Sequence, residues 1–184
     1  MALEELFFSV DVEASGPIPA EYSLLSIGCA VVGRPEATFY AELKPLNNNA
    51  VPEALKVSGL DMEVLRAKGE EPEAAMRRFA TWIKETCGAT HRPVFAAFNA
   101  TFDWMFVHWY FVKFTGGSPF SISGLDMKAY YMGMMGGGWS GTKKEHVTKK
   151  FPTKGKHTHN ALDDAKEQAE LFAQMLEYQR LRKG

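Results

Sequence analysis

Leu6-Phe7-Phe8-Ser9-Val10-Asp11-Val12-Glu13 sets an acidic pair into a short apolar run rich in Phe and Val. A run of this length and composition predicts a buried strand over residues 6–12. Side chains alternate across a strand, so Asp11 and Glu13, two apart, share one face. Gly16, Pro17 and Pro19 then end the strand in a loop. A second strand is predicted over Ser23 to Val32 (SLLSIGCAVV) and a third over Thr38 to Leu43, with a turn around Gly33-Arg34-Pro35 between them. Three short-linked strands suggest an antiparallel meander.

The character of the chain then changes. Glu73 to Cys87 places Ala75, Phe79, Trp82 and Ile83 at helical spacing. Pro93 to Phe98 (PVFAAF) reads as another buried strand, Thr101 to Phe114 as a helix, Phe120 to Leu125 as a short strand and Asp126 to Met134 as a helix. Residues 133–158 are rich in Gly and Lys with little periodicity, which predicts a long flexible loop. A final helix is expected from about Ala161 to Leu181. Strands first, then alternating helix and strand, imply a mixed five-stranded sheet with helices on its faces. That α/β order resembles the ribonuclease H-like architecture.

The chain has 184 residues, 46% hydrophobic and 23% charged, which fits a single soluble domain over 1–184. No apolar run approaches the roughly 20 residues of a membrane span, and the acidic start Met1-Ala2-Leu3-Glu4-Glu5 is unlike a signal peptide. Cys29 and Cys87 lack metal-type spacing and read as free buried thiols of a cytoplasmic protein. The formal net charge is −1, which excludes a general polycation. Charge is nonetheless uneven: Lys143, Lys144, Lys149, Lys150, Lys154 and Lys156 lie close together with one acid, Glu145. A run of this kind is either solvated surface or a phosphate-attracting patch.

Two helices carry acids beside their apolar stripes. The last helix has a stripe at Leu162, Ala165, Ala169, Phe172 and Leu176. At about 100° per residue, Asp164 falls near its edge and Asp163 almost opposite. Asp164 is therefore the ligand candidate. Asp163 is the third helical residue after an Asn160 N-cap, a variant of the capping box. In the middle helix Phe102, Met105, Phe106 and Trp109 form the apolar face, with Asp103 near its edge. Four carboxylates gathered at one place repel each other unless cations neutralise them. An all-oxygen ligand set favours Mg²⁺ or Mn²⁺ over zinc. The plain alternative is four unrelated surface acids.

Three segments then stand in order: Val10-Asp11-Val12-Glu13-Ala14-Ser15-Gly16, Phe98-Asn99-Ala100-Thr101-Phe102-Asp103 and His159-Asn160-Ala161-Leu162-Asp163-Asp164-Ala165. Together they resemble the motifs of the DEDDh 3′–5′ exonucleases of the ribonuclease H-like superfamily, a likeness that covers nearly the whole chain. Two departures are visible. Ser26 stands where many relatives carry Glu, and Pro17-Ile18 follows the first motif where some relatives place Leu or Phe on the terminal bases.

The resemblance implies two divalent ions, Mg²⁺ or Mn²⁺, held by Asp11, Glu13, Asp103 and Asp164, with Asp11 bridging both. Such ions stabilise the attacking and leaving oxygens of an in-line displacement. His159 would take the proton of the attacking water, a task imidazole performs near neutral pH; His157 is the rival base. The partner would be the 3′ end of single-stranded RNA or DNA, the product a nucleoside 5′-monophosphate, and a homodimer stays open. Ala14, Ser15, Asn99 and Phe102 are expected near the terminal nucleotide, although Phe102 also reads as core. Trp139, Lys149 and Lys150 are expected along the strand, in a flap over the substrate. A silent nucleic-acid-binding module and an internally cutting nuclease of the same fold are the competing readings.

Overall fold

The computed structural model describes residues 3–155 and 158–183, so His157 and Lys156 of the sequence reading lie outside the described residues. The strands are β1 (Glu4–Ala14), β2 (Leu24–Val31), β3 (Arg34–Glu42), β4 (His91–Ala97) and β5 (Gly124–Asp126). The helices are α1 (Pro52–Ser58), α2 (Met62–Lys68), α3 (Pro72–Cys87), α4 (Ala100–Thr115), α5 (Met127–Met135), α6 (Lys144–Lys150) and α7 (Ala161–Lys183). A short 3₁₀ turn occupies Trp139–Thr142.

One sheet runs in the order β3-β2-β1-β4-β5. β1, β2 and β3 form the expected antiparallel meander, and β4 and β5 join it in parallel with β1. β1 outruns β4: their pairing ends at Ser9–Ala96, while β1 continues to Ala14. Backbone groups near Val12 therefore project beyond the end of β4. That end is where open α/β sheets gather their ligands.

The two faces of β1 pack against different partners. Phe8, Val10 and Val12 join a core with Phe79 of α3 and Phe106, Tyr110 and Phe111 of α4. On the opposite face Phe7 meets Phe172 of α7 edge-on, with ring centroids 5.3 Å apart. Asp11 looks toward α7 as well. Gly28 of β2 permits this approach, because a Cβ there would sit 2.1 Å from the Ala161 carbonyl carbon. The first turn of α7 thus rests directly on the β2 backbone beside Asp11.

Three expectations need correction. β5 is confined to three residues, and Phe120 precedes it as a buried plug against Phe8, Phe95 and Phe111. The stretch read as a loop over 133–158 contains the 3₁₀ turn and α6. Val147 and Phe151, one turn apart, anchor α6 in a cluster with Leu171, Phe172 and Met175. A seven-residue helix with one apolar side chain, followed by Phe151, is too short to register as periodicity. α1 and α2 were not anticipated. α1 buries no residue, and its ends are marked only by Pro52 in the first turn and Gly59 in the left-handed conformation.

Candidate active site

The carboxylates come from β1, α4 and α7. Glu13, His159 and Asp164 each offer one ligand atom, and these atoms all lie within 4.8 Å of one another. Asp164 is fully buried, Glu13 half-buried and His159 exposed. Asp103 is buried on α4, and its Oδ1 accepts the Val12 N–H at 3.1 Å. That N–H lies between Asp11 and Glu13 in the chain, so the acid on α4 is tied to the strand that carries the acidic pair.

Asp164 organises the approach to α7. Its two oxygens accept the backbone N–H groups of Thr158 (2.9 Å) and His159 (3.0 Å). His159 is held with φ at +57°, a left-handed conformation that among non-glycine residues is commonest for Asn, Asp and His. Asn160 caps the helix as expected, its Oδ1 accepting from Leu162 and Asp163. The reciprocal half of the capping box is not made by Asp163. The Asn160 N–H points to Thr158 Oγ1 at 3.4 Å instead, and Asp163 is exposed.

Three residues that the sequence reading did not place in the site surround Asp11. Gln168, buried on α7, donates from Nε2 to Asp11 Oδ1 at 2.7 Å and accepts the Phe98 N–H at 2.9 Å. Glu167, also buried, pairs with Lys144 at the start of α6 and accepts from Thr153 Oγ1 at 3.0 Å. Lys144 lies over the Phe98 ring, 5.4 Å from its centroid. The usable signal was helical spacing, since Gln168 is four residues beyond Asp164 and Glu167 three.

The electrostatics are those of an under-compensated acidic cluster. Burial, then the charge of Asp164, pushes Asp11 up to about 7, against the Gln168 hydrogen bond and the Lys144 charge. Burial, then Asp11 and Asp164, pushes Glu13 up to about 8. Burial holds Asp103 well above the usual carboxylate range despite the Val12 N–H. A cation would relieve all three effects together. The donor set of carboxylate oxygens with one imidazole fits a divalent ion.

A cavity of about 500 Å³ opens beside these groups, with Glu13, Ala14, Pro17, Val51, Val57 and Phe102 in its walls. Ala14 and Phe102 therefore lie where expected, and α1 supplies a wall the sequence did not announce. Ser15 is committed to the fold. Its N–H donates to the Ser23 carbonyl, its Oγ donates to the Asn49 carbonyl, and its own carbonyl accepts from Val51. Asn99 is exposed at the start of α4, where Lys128 Nζ donates to its Oδ1 at 3.3 Å. The same ammonium lies 4.4 Å from the ring centroid of Trp139, which is 53% exposed.

Lys149 and Lys150 are exposed. Lys150 lies over Tyr178, which at 1.5 Å per residue is about 21 Å along α7 from Asp164. A larger cavity, of about 610 Å³, lies between the end of α3, the start of β4 and residues 115–119, and none of the acids lines it.

A five-stranded mixed sheet bearing carboxylates on β1, α4 and α7, with a histidine before α7, defines the DEDDh class of 3′–5′ exonucleases, and the chain belongs to that family. Residues 8–172 match the RNase T family of exonucleases. The chain is 42% identical over 169 residues to the 3′–5′ DNA exonuclease Cap18 of Escherichia coli, covering 92% of this chain and 90% of that protein. Its fold is similar to the nuclease domain of 3′hExo, a DEDDh family member bound to rAMP, with a TM-score of 0.77 at 15% identity over 94% of this chain and 92% of that one. It is also similar to E. coli Exonuclease I in complex with a dT13 oligonucleotide, with a TM-score of 0.69 at 20% identity, covering 97% of this chain and 42% of the other. The family and fold implied by the motifs are those found, and the enzyme class is 3′–5′ exonuclease.

Proposed function

We propose that the protein, acting as one domain over 1–184, removes nucleotides from the 3′ end of single-stranded DNA and releases nucleoside 5′-monophosphates. The convergence of Glu13, His159 and Asp164 from opposite ends of the chain carries this reading. DNA is preferred to RNA because Cap18, a DNA exonuclease by name, is 42% identical. Asp11, Glu13, Asp103 and Asp164 would hold two divalent cations, Mg²⁺ or Mn²⁺. Such ions supply positive charge to the attacking and leaving oxygens of an in-line displacement.

The chain's own residues do the rest. His159 accepts a proton from the water whose oxygen attacks phosphorus. The bond from phosphorus to the 3′-oxygen breaks, and that oxygen takes a proton from solvent. The bonds from Thr158 and His159 to Asp164 orient the imidazole carrier before substrate arrives. The terminal base rests against Phe102, Pro17 and Val57, whose apolar surfaces exclude water from one side of the scissile bond. Asn99 and Trp139, linked through Lys128, receive the preceding nucleotide by hydrogen bonding and stacking. Lys149 and Lys150 attract more distant phosphates through their charge. Two buried free thiols support a cytoplasmic setting.

End-labelled DNA and RNA oligonucleotides, incubated with Mg²⁺ or Mn²⁺, test this reading. A ladder shortening from the 3′ end, faster on DNA and lost in Asp11→Ala and His159→Ala, is the expected result. Internal fragments, or binding without cleavage, would overturn it.

A further inference from the structure

Gln168 is a buried uncharged side chain beside Asp11, and its amide orientation is fixed by its two partners. A backbone N–H can only donate, so the atom facing the Phe98 N–H at 2.9 Å must be Oε1. Nε2 is then the atom directed at Asp11 Oδ1, 2.7 Å away. Three elements meet in this one side chain. Gln168 belongs to α7, Asp11 to β1, and Phe98 to the junction of β4 with α4, five residues before Asp103. Asp103 closes the circuit by accepting the Val12 N–H beside Asp11.

We propose that Gln168 is a positioning residue for the exonuclease reaction, clamping the Asp11 carboxylate in the rotation that a divalent cation requires. The inference rests on the metal-dependent reading above. A carboxylate oxygen has two lone-pair sites, so the amide N–H occupies one on Oδ1 and leaves the other open to a cation. The Oδ2 atom is then turned in a fixed direction. Without the clamp, the Asp11 carboxylate keeps its freedom about the side-chain torsions. Partners that orient metal-ligating carboxylates commonly contribute about 10–100-fold in metal affinity or activity. Gln suits this place because it supplies a donor without adding charge to a cluster already rich in acids. A Lys would compete with the cation, and a Glu would add repulsion.

Gln168→Met, close in size but without either hydrogen bond, is the test, with Gln168→Ala as the second variant should Met fail to fold. Mn²⁺ binding to the free enzyme is measured calorimetrically, alongside kcat and KM on a single-stranded oligonucleotide. The expected result is Mn²⁺ affinity and kcat each lowered about 10–100-fold, with KM little changed. A folded variant that binds Mn²⁺ as the wild type does, or whose loss falls wholly in KM, overturns the proposal while leaving the proposed function standing. Wild-type protein that binds no Mn²⁺, or binds it equally well as Asp11→Asn, overturns both.

Discussion

The metal-free protein should lose stability as pH rises from 5 to 8, the reverse of what salt-bridged carboxylates produce. Asp11 is pushed up to about 7 and Glu13 to about 8, each above its value in an unfolded chain. Below about pH 3 both states hold these protons and the shifts have no effect on folding. As pH rises toward 8 the unfolded chain has already released them, whereas the folded chain retains them and finally ionises in an unfavourable setting. Folding stability therefore falls with pH through this window and levels off above it. One pKa unit corresponds to about 1.4 kcal/mol, so each shift taken alone amounts to roughly 4–5 kcal/mol. Glu13 is partly solvated and the repulsion between the two acids enters both shifts, so the expected loss is about 3–5 kcal/mol for the pair. Denaturant titrations in EDTA at pH 5, 6, 7 and 8 would show it. Asp11→Asn, which removes one charge and relieves its neighbour, should flatten the slope and stabilise the metal-free protein at pH 8. Saturating Mg²⁺ should restore wild-type stability at pH 8 far more than at pH 5, because ligands must be deprotonated to bind. A wild-type profile that is flat or rising between pH 5 and 8 in EDTA would refute the reasoning.

Gly28→Ala should destabilise the fold by about 1–3 kcal/mol, as overpacking does, and should reduce cleavage by lifting α7 from β2; unchanged melting and activity would remove the close approach as an explanation for the glycine. Asn160→Ala, which deletes the cap of α7, should cost about 1 kcal/mol, or roughly 2–4 °C of melting temperature for a chain of this size, measurable by calorimetry. Changing Lys149 and Lys150 together to Gln should flatten the salt dependence of single-stranded DNA binding by at most about 1.4 in log–log slope, since each phosphate contact contributes about 0.7. Filter binding across a salt series checks this, and an unchanged slope would assign both lysines to solvated surface.

The strands were legible because their signal is local. Leu6 to Val12 and the two runs after it are short, apolar and bounded by turns, and they became the meander β1-β2-β3. Elements that bury little were not legible: α1 buries nothing, and the apolar anchors of α6 are Val147 and, just past its end, Phe151. The apolar stripes of α4 and α7 locate Phe106, Ala165, Ala169 and Phe172 in the core but miss the polar residues beside them. Apolar stripes predicted Phe102 and Leu162 as inward positions, yet both are only partly buried, while Asp103, Asp164, Glu167 and Gln168 are buried. Polar side chains share the inward faces there with Phe106 and Tyr110 of α4 and Ala165, Leu171 and Phe172 of α7, and hydrophobic periodicity misses such residues wherever function interrupts the core pattern. Choosing Asp164 over Asp163 survived this error because neighbouring helical residues diverge by about 100°. Gln168 did not stand out, since its partner Asp11 lies 157 positions away.

These burials also explain how so repulsive a cluster persists in a folded chain. Asp103 and Asp164 accept backbone N–H groups from Val12, Thr158 and His159, and Asp11 accepts the Gln168 amide. None of these donors is a mobile cation, so the carboxylates are oriented without being neutralised. Lys144, the nearby ammonium, is engaged by Glu167. Fixed dipoles set direction at little reorganisation, and the unbalanced charge that remains is what a divalent ion would find. Replacing such donors by a lysine would stabilise the empty fold and weaken the site, which is why the cluster's instability at high pH and its capacity to hold a cation should be removed by the same substitutions.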